Sequence, residues 1–296
     1  MKYIQTNEFP GRLHPYDGTL LICDGIDGSG KFTVTKAIVD LLLKQNKLIF
    51  DTRTNKFLNP KDPYTTKNGL ISPSLLNTDD KFIKYNDSAF LLNVMLGDCK
   101  KAIADADVIV TSEPRFQGIG REIRERIISK NQITPTPYSG KEIAWSYTLD
   151  RAVLYRDIII PALKDGKIII QERGFMSTMV YQPTYDLLKD KISKITIEDV
   201  LNMDGNIFAL LNMPDLFLYP KITGETGAKR LGLREKQDDA IFEKEKILIE
   251  LAKEYSSENF KKFFTERGTK FEEIDASLTI EDTIYKSLKI WKNYKK

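Results

Sequence analysis

Short apolar runs alternate along the chain with longer segments in which polar and apolar residues are mixed. The five runs rich in β-branched and aliphatic residues cover 18–24, 107–112, 167–172, 215–220 and 270–274. Most of the segments between them have apolar residues at helical spacing, as expected where strands alternate with helices. The runs at 107–112 and 167–172 are apolar without alternation, which is typical of parallel strands buried on both faces. The pattern therefore predicts an α/β fold with a five-stranded parallel sheet flanked by helices.

A glycine-rich segment joins the first of these strands to the first helix. It reads Gly25-Ile26-Asp27-Gly28-Ser29-Gly30-Lys31-Phe32-Thr33. A strand, a glycine-rich turn and a helix that carries lysine form the context of a phosphate-binding P-loop. Glycines let backbone N–H groups converge on phosphate oxygens, while the helix N-terminus and the lysine add positive charge. We therefore predict that this segment binds a nucleotide; the alternative is an ordinary glycine turn before a core helix.

The residue after the lysine departs from the usual form of this motif. In G-x-x-x-x-G-K-[ST] the last residue offers a hydroxyl to Mg²⁺. Here Phe32 occupies that place, and the hydroxyl of Thr33 comes one residue later.

Charged residues follow two of the predicted strands directly. Glu113 ends the run at 107–112, and Glu172 with Arg173 ends the run at 167–172. Ligands of parallel α/β sheets bind at the carboxyl ends of the strands, where the P-loop also lies. These charges are therefore candidate site residues, with solvated strand ends as the alternative.

The segment between the first helix and the second strong strand run is less regular. Leu48-Ile49-Phe50 indicates an extra edge strand, and 56–80 is rich in Pro, Asn, Asp, Thr and Lys, which favours an irregular excursion. Apolar residues at helical spacing predict an added helix over 88–106.

Length and composition change this picture little. The 296 residues fit one large domain, and 41% hydrophobic with 29% charged residues is typical of a globular protein. A net charge of +3 does not indicate a nucleic-acid or membrane partner, and neither a signal peptide nor a membrane helix is recognisable. Cys23 and Cys99 are typical of reduced thiols, so we expect a cytoplasmic protein.

Further motifs follow in a fixed order. They are Thr111-Ser112-Glu113-Pro114, Asp150-Arg151-Ala152, Glu172-Arg173, Ser177-Thr178, Tyr181-Gln182, Pro214-Asp215-Leu216 and Ile274-Asp275-Ala276-Ser277, with an arginine-bearing stretch at 229–236. Together with the P-loop, this succession resembles the thymidylate kinases, which are P-loop nucleoside monophosphate kinases. The resemblance covers about 18–45 and 107–282, so that 46–106 is interpreted as an insertion into a single domain over 1–296.

The resemblance implies transfer of the terminal phosphoryl group of ATP to dTMP, with Mg²⁺, giving dTDP and ADP. Lys31 and the loop amides would hold the donor phosphates, and Asp27 would lie near the sugar 3′-hydroxyl and the metal. Arg173 would contact the acceptor phosphate. Glu172 replaces the aspartate of the family's Asp-Arg motif and would reach the metal through water. For Glu172 and Arg173 the alternative is a mutual surface ion pair.

The same resemblance implies a pocket for the acceptor nucleotide. Tyr147 would stack on thymine, Arg151, one helical turn later, would bond a carbonyl of the base, and Thr178 would touch the base. Tyr181 would lie under the deoxyribose. The remaining residues of the implied acceptor set are Gln182, Glu113 and Arg115. Arg115 would replace an arginine that the family commonly has at the place of Ser112. For Tyr147 and Arg151 the alternative is a core tyrosine and a surface arginine on an amphipathic helix.

A basic lid over about 222–238 is also implied, with Arg230 and Arg234 closing on the phosphates as in the bacterial subtype. Gly28 stands where some members carry arginine, so that the lid would supply this charge. A solvated charged helix is the alternative. A homodimer is expected from the resemblance alone.

Two other functions stay open at this point. The first is a kinase of the same architecture that acts on another acceptor, such as dUMP or a modified deoxynucleotide. The second is a catalytically weak nucleotide-binding module whose 46–106 segment serves a partner. The full set of phosphate-directed residues favours an enzyme.

Overall fold

A mixed sheet of seven strands forms the centre of the protein. The computed structural model describes residues 13–58, 100–129, 137–188, 194–233 and 241–294. The strands are β1 (Thr19–Cys23), β2 (Ile49–Asp51), β3 (Lys56–Leu58), β4 (Val108–Ser112), β5 (Ile168–Glu172), β6 (Leu216–Lys221) and β7 (Lys270–Asp275). Their order across the sheet is β3-β2-β4-β5-β1-β6-β7. All neighbours pair in parallel except β2 with β3.

The five predicted strands are confirmed, and the sheet extends beyond them on one side. The expected extra strand exists as β2, but it lies between β4 and β3 instead of at the edge. The prediction of an irregular excursion is wrong for 56–58, which pair with β2 as an antiparallel strand. Residues 59–99, with the rest of the predicted excursion and most of the predicted helix over 88–106, lie outside the described residues. The wider interpretation of 46–106 as an insertion stays a prediction.

Helices cover both faces of the sheet. They are α1 (Lys31–Lys44), α2 (Gly118–Glu122), α3 (Gly140–Leu154), α4 (Ile160–Lys164), α5 (Phe175–Leu188), α6 (Ile197–Leu201), α7 (Asp204–Leu210), α8 (Gly224–Gly232), α9 (Glu245–Tyr255), α10 (Glu258–Thr265) and α11 (Ile280–Asn293). Single π-helical stretches, Ile123–Ile127 and Tyr155–Ile159, extend α2 and join α3 to α4. Of the described helices, none has both the length and the apolar character needed to cross a membrane.

Two apolar layers separate these helices from the sheet. On one face, Val34, Ile38 and Leu42 of α1 pack with alternate residues of β1 and β4, and Trp291 of α11 joins them. On the other face, α3, α5, α9 and α10 cover the remaining alternate residues, with stacked Phe217 and Phe264 among them. Because both faces are covered, the central strands are apolar throughout, as the uninterrupted runs indicated.

Strand register brings the functional ends together. Cys23 of β1 and Ser112 of β4 both pair with Glu172 of β5. The three strands therefore end at the same level, and the residues that follow them meet at one edge of the sheet. The P-loop, Glu113 and Arg173 all lie at this edge, as predicted for the carboxyl ends of parallel strands.

Candidate active site

The P-loop turns from β1 into α1 through glycines in the left-handed region. Gly28 has φ 80° and Gly30 has φ 91°, conformations that residues with a side chain rarely adopt. A Cβ at Gly28 would also lie only 2.7 Å from the carbonyl oxygen of Gly227 in α8. Ser29 Oγ is buried in this turn and has no hydrogen-bond partner among the described residues. This cradle fits the phosphate groups of a nucleotide, since an anion at the start of α1 meets backbone N–H groups and the helix dipole.

Lys31 is held by backbone carbonyls of its own loop. Its Nζ donates to the carbonyl oxygens of Gly25 at 2.9 Å and Ile26 at 2.7 Å, and it lies 3.8 Å from Asp27 Oδ1. Burial lowers the pKa of Lys31 to about 8, with the charge of Arg173 acting in the same direction and Asp27 opposing it. The ammonium group is therefore positioned at the nucleotide cradle and is easier to deprotonate than an ordinary lysine.

Asp24, the residue after β1, ties the P-loop to the end of β5. Its Oδ1 accepts from the backbone N–H of Gly25 at 2.7 Å, and its Oδ2 accepts from the N–H of Gly174 at 3.1 Å. The hydroxyls of Ser177 and Tyr255 donate to the same carboxylate. Burial raises the pKa of Asp24, which the neighbouring cations and hydrogen bonds counteract. Sequence reasoning missed this residue, although a charged residue directly after an apolar strand could have drawn attention to it.

Asp27, Arg173 and Tyr181 form a second cluster beside Lys31. Arg173 Nη2 donates to Asp27, Arg173 Nη1 donates to Tyr181 Oη at 3.3 Å, and Tyr181 Oη donates to Asp27 Oδ2 at 3.1 Å. Arg173 has φ 61°, a left-handed conformation that costs free energy in a residue with a side chain. Such conformations persist where the surrounding contacts fix them. The structure therefore brings together three residues that the sequence assigned separately to the P-loop, the phosphate contact and the sugar.

Glu172 lies at the end of β5 and is held from two sides. Its Oε1 accepts from Thr35 Oγ1 of α1 and from Arg53 Nη1, both at 2.7 Å. Arg53 follows β2 and lies over the ring of Phe32, with 5.9 Å between the guanidinium carbon and the ring centroid. The alternative of a mutual Glu172–Arg173 ion pair is therefore wrong, because each of the two pairs with a different partner.

The donors at this edge fit a metal ion that arrives with a nucleotide. Mg²⁺ usually keeps several waters and is bound through one or two carboxylates together with substrate phosphates. Within the described ranges, no three His, Cys, Asp or Glu side chains group closely enough to hold a metal ion by themselves. Asp27 in the P-loop and Glu172 beside α1 are the carboxylates that such an ion would meet.

The opposite wall of the cleft is built around a buried arginine. Arg151 of α3 donates from Nε to Glu113 Oε2 at 2.8 Å and from Nη2 to Thr178 Oγ1 at 3.0 Å, and its Nη1 donates to Asn206. We call these four residues the acceptor wall. Arg151 is 0% exposed and Glu113 is 1% exposed. The alternative of a surface arginine is therefore wrong: Arg151 is buried and is bonded by three side chains.

Tyr147 is buried one helical turn before Arg151. Burial raises the pKa of its hydroxyl to about 12, with Arg173 and Arg124 acting in the opposite direction. Helix α3 begins after Ser139, which caps it and forms a capping box with Glu142. Of the other residues predicted for the acceptor, Gln182 and Tyr181 are buried on α5.

Arg115 is paired within the protein. Its backbone N and its Nε both donate to the carboxylate of the buried Asp150, each at 2.8 Å. Arg124, which sequence reasoning gave no role, donates to the carbonyl oxygen of Pro114 and lies 4.0 Å over the ring of Phe116. The charge of Arg124 also acts on the pKa of the Tyr147 hydroxyl, in the direction that lowers it.

The described part of the predicted lid is helix α8, which packs on the P-loop. Arg230 donates from Nη2 to the carbonyl oxygen of Ala276 at 2.7 Å and from Nη1 to that of Gly28 at 3.3 Å. It therefore joins the P-loop to the end of β7 and the loop after it, where the motif Ile274-Asp275-Ala276-Ser277 lies. Arg234 lies outside the described residues.

The fold and the glycine-rich loop at this edge of the sheet are those of a P-loop NTPase. The model of the thymidylate kinase family matches residues 98–284, more than half of the chain. The chain therefore belongs to the thymidylate kinase family and is an ATP-dependent nucleoside monophosphate kinase. Membership of this family confirms the predicted family, the predicted fold class and the predicted activity, conversion of dTMP to dTDP.

Individual relatives agree with this assignment. A thymidylate kinase of Staphylococcus haemolyticus is 27% identical over 198 residues, which is 67% of this chain and 89% of the relative. One from Bacillus velezensis is 29% identical over 62% of this chain and 80% of the relative. A third, from Maridesulfovibrio salexigens, is 34% identical over 46% of this chain and 58% of the relative.

Proposed function

We propose that this chain transfers the terminal phosphoryl group of ATP to dTMP at the carboxyl edge of its sheet. The observation that carries the proposal is the convergence of Lys31 and Arg173 on Asp27, at 3.8 Å for Lys31 and through a hydrogen bond for Arg173. Gln171 joins this group to the acceptor wall, because its Nε2 donates to Glu113 Oε1 and to the carbonyl oxygen of Arg173. Phosphoryl transfer asks little covalent chemistry of the protein, which must align two anionic nucleotides and neutralise their charge. A cluster of cations at the start of a P-loop helix supports that task.

On the donor side, residues 25–33 bind the phosphates of ATP. Lys31 stabilises the negative charge that develops on the transferred phosphoryl group. Arg230 and Arg234 of the lid add positive charge at the donor phosphates. The lid spans about 222–238 of a single domain. Support comes from Arg230, which already contacts the P-loop carbonyl of Gly28.

On the acceptor side, Arg173 holds the phosphate of dTMP, Tyr181 lies under the sugar and Tyr147 stacks on the base. Arg151 keeps Glu113 and Thr178 in place and bonds the base where it exchanges a partner. Gln182 and Arg115 complete the acceptor set. The buried Gln182 Oε1 has no hydrogen-bond partner among the described residues, which supports a polar ligand at this position.

Mg²⁺ accompanies ATP in this proposal, with Glu172 and Asp27 reaching it, largely through water. An ion bound there would neutralise negative charge on the phosphate groups. The hydroxyl of Thr35 and the guanidinium of Arg53 hold Glu172 in place for this contact. Phe32 contributes no ligand.

An assay across acceptors tests the proposal most directly. Purified enzyme with ATP and Mg²⁺ is given each deoxynucleoside monophosphate in turn, and ADP formation is followed by a coupled assay. We expect the highest kcat/KM with dTMP and a lower value with dUMP, which lacks only the methyl group. A preference for another acceptor would establish the rival kinase, and ATP binding without turnover of any acceptor would establish the weak nucleotide-binding module.

A homodimer in the cytoplasm, without nucleic acid, completes the proposal. Trp145 and Leu149 support a dimer face, because they lie one turn apart on α3 and are 54% and 56% exposed. Trp145→Glu and Leu149→Glu should each give a monomer in analytical ultracentrifugation. Tyr285→Glu, at an equally exposed position on α11, is the matched control and should leave the mass unchanged. A wild-type chain that sediments as a monomer would contradict the dimer.

A further inference from the structure

Arg53 lies outside residues 98–284, which the family model matches, and its side chain reaches Glu172 of the candidate site. It follows β2, on the turn to β3, and its side chain is only 4% exposed. Nε and Nη2 donate to the two carboxylate oxygens of Asp51, at 2.9 and 3.0 Å, while Nη1 donates to Glu172 Oε1 at 2.7 Å. One guanidinium thus joins the added strands to the carboxyl end of β5.

The backbone around Arg53 is fixed to the central sheet. Thr52 pairs with Val110 of β4 through its N–H, at 2.9 Å, and through its hydroxyl, at 3.0 Å. Gln117, from the loop before α2, donates to the carbonyl oxygen of Thr52 at 2.8 Å. The fork of Arg53 on Asp51 then sets the guanidinium plane, since two parallel hydrogen bonds to a carboxylate leave little freedom. Arg53 therefore reaches Glu172 from a rigid base.

Strand register explains why this arginine can reach so far. Asp51 of β2 pairs with Val110 of β4, and Ser112 of β4 pairs with Glu172 of β5. Strand β4 therefore lies between the base of Arg53 and Glu172, and the long arginine side chain spans it. At its end the guanidinium lies beside Phe32, the residue directly after Lys31.

We propose that Arg53 is a positioning residue of the kinase, which orients Glu172 and compensates its negative charge beside the nucleotide phosphates. The inference rests on the role proposed above for Glu172. It makes β2 and the turn after it part of the active site. Without Arg53, Glu172 keeps only the hydroxyl of Thr35 as its described partner and faces the donor phosphates with an unbalanced charge.

A double-mutant cycle tests this inference. We expect Arg53→Gln to lower kcat about tenfold or more, the effect of one charge-assisted hydrogen bond, with KM for dTMP changed less than about twofold. Glu172→Gln should lower kcat as well, and the double variant should be no worse than the more damaged single variant, because Arg53 acts through Glu172. Lys56→Gln removes an exposed charge from the same hairpin and should leave kcat within about twofold. Losses that multiply in the double variant would overturn the inference.

The affinity for Mg·ATP, measured by calorimetry on the same four proteins, gives a readout that needs no acceptor. If the losses in Mg·ATP affinity of the two single variants do not add in the double variant, the inference is supported. This holds even if the acceptor assay shows that dTMP is not the substrate. If Arg53 has a purely structural role, the variants should have a lower melting temperature and independent losses in affinity for Mg·ATP. That result would overturn the inference. If Arg53→Gln does not fold, Arg53→Lys gives the same comparison, because it keeps the charge but cannot bridge both carboxylates.

Discussion

The two sides of the candidate site hold their cations in different ways. On the donor side, the Lys31 ammonium donates hydrogen bonds to two backbone carbonyls of its own loop. On the acceptor side, the Arg151 guanidinium is bonded by side chains from three other segments. A cation held by carbonyls can leave them for a phosphate at little cost to the fold. A cation paired with a fully buried carboxylate cannot be removed without leaving that carboxylate unpaired. The difference separates a residue that acts on ligands from a residue that first of all builds the pocket.

The largest expected effect is on stability, at the acceptor wall. Arg151→Ala should lower the free energy of unfolding by about 3–5 kcal/mol, because Glu113 would remain buried without its partner. Chemical denaturation at neutral pH measures this. Arg126→Ala is the control: it removes an exposed ion pair with Glu122 and should cost less than about 1 kcal/mol. Equal losses of unfolding free energy in Arg151→Ala and Arg126→Ala would show that Arg151 does not build the pocket, and the contrast between the donor and acceptor sides would be lost.

Kinetics of the folded Arg151→Ala protein sharpen the same comparison. A rise in KM for dTMP with KM for ATP unchanged would support contact between Arg151 and the base. Equal rises for both nucleotides would mean that Arg151 only builds the pocket.

The next effect is on catalysis, at the donor side. Lys31→Ala should lower kcat about a hundredfold, or about 3 kcal/mol of transition-state stabilisation, while the melting temperature stays close to that of the wild type. Lys44→Ala, at an exposed position on the same helix, should leave both quantities almost unchanged. Near-normal turnover in folded Lys31→Ala would defeat the P-loop assignment.

The smallest effect is a pH dependence of the donor side. Because the pKa of Lys31 is lowered to about 8, its charge is complete below that pH and is lost above it. kcat/KM for ATP, which reports the free enzyme, should therefore fall as the pH rises through about 8. Lys31→Arg should move this fall to higher pH, since arginine stays protonated there. An unchanged profile in Lys31→Arg would assign the fall to another group.

The sequence predicted most where one segment holds all the information. The P-loop and the strands of the central sheet are contiguous patterns, so that their residues and their common edge could be predicted. β3 was missed because it has three residues and two of them are exposed, which leaves no apolar run to recognise.

The partners of the site residues could not be predicted in the same way. Glu113 follows β4, Thr178 lies on α5 and Asn206 lies on α7, and only their packing around Arg151 makes them a network. The pairing of Arg115 with Asp150 could not be predicted either, while its place in the acceptor set stays a prediction. Arg53 carries no local signal, because its role depends on the register between β2, β4 and β5.

The contact between Gly28 and Gly227 also limits how this sequence can change. A Cβ at Gly28 would meet the carbonyl oxygen of Gly227 at 2.7 Å, and a Cβ at Gly227 would meet that of Asp27 at 2.8 Å. Neither position accepts even alanine while α8 keeps its place, so that each of two positions almost two hundred residues apart limits the side chain at the other. The arginine that some family members carry at the place of Gly28 is therefore not a single substitution away, because α8 would first have to withdraw from the P-loop.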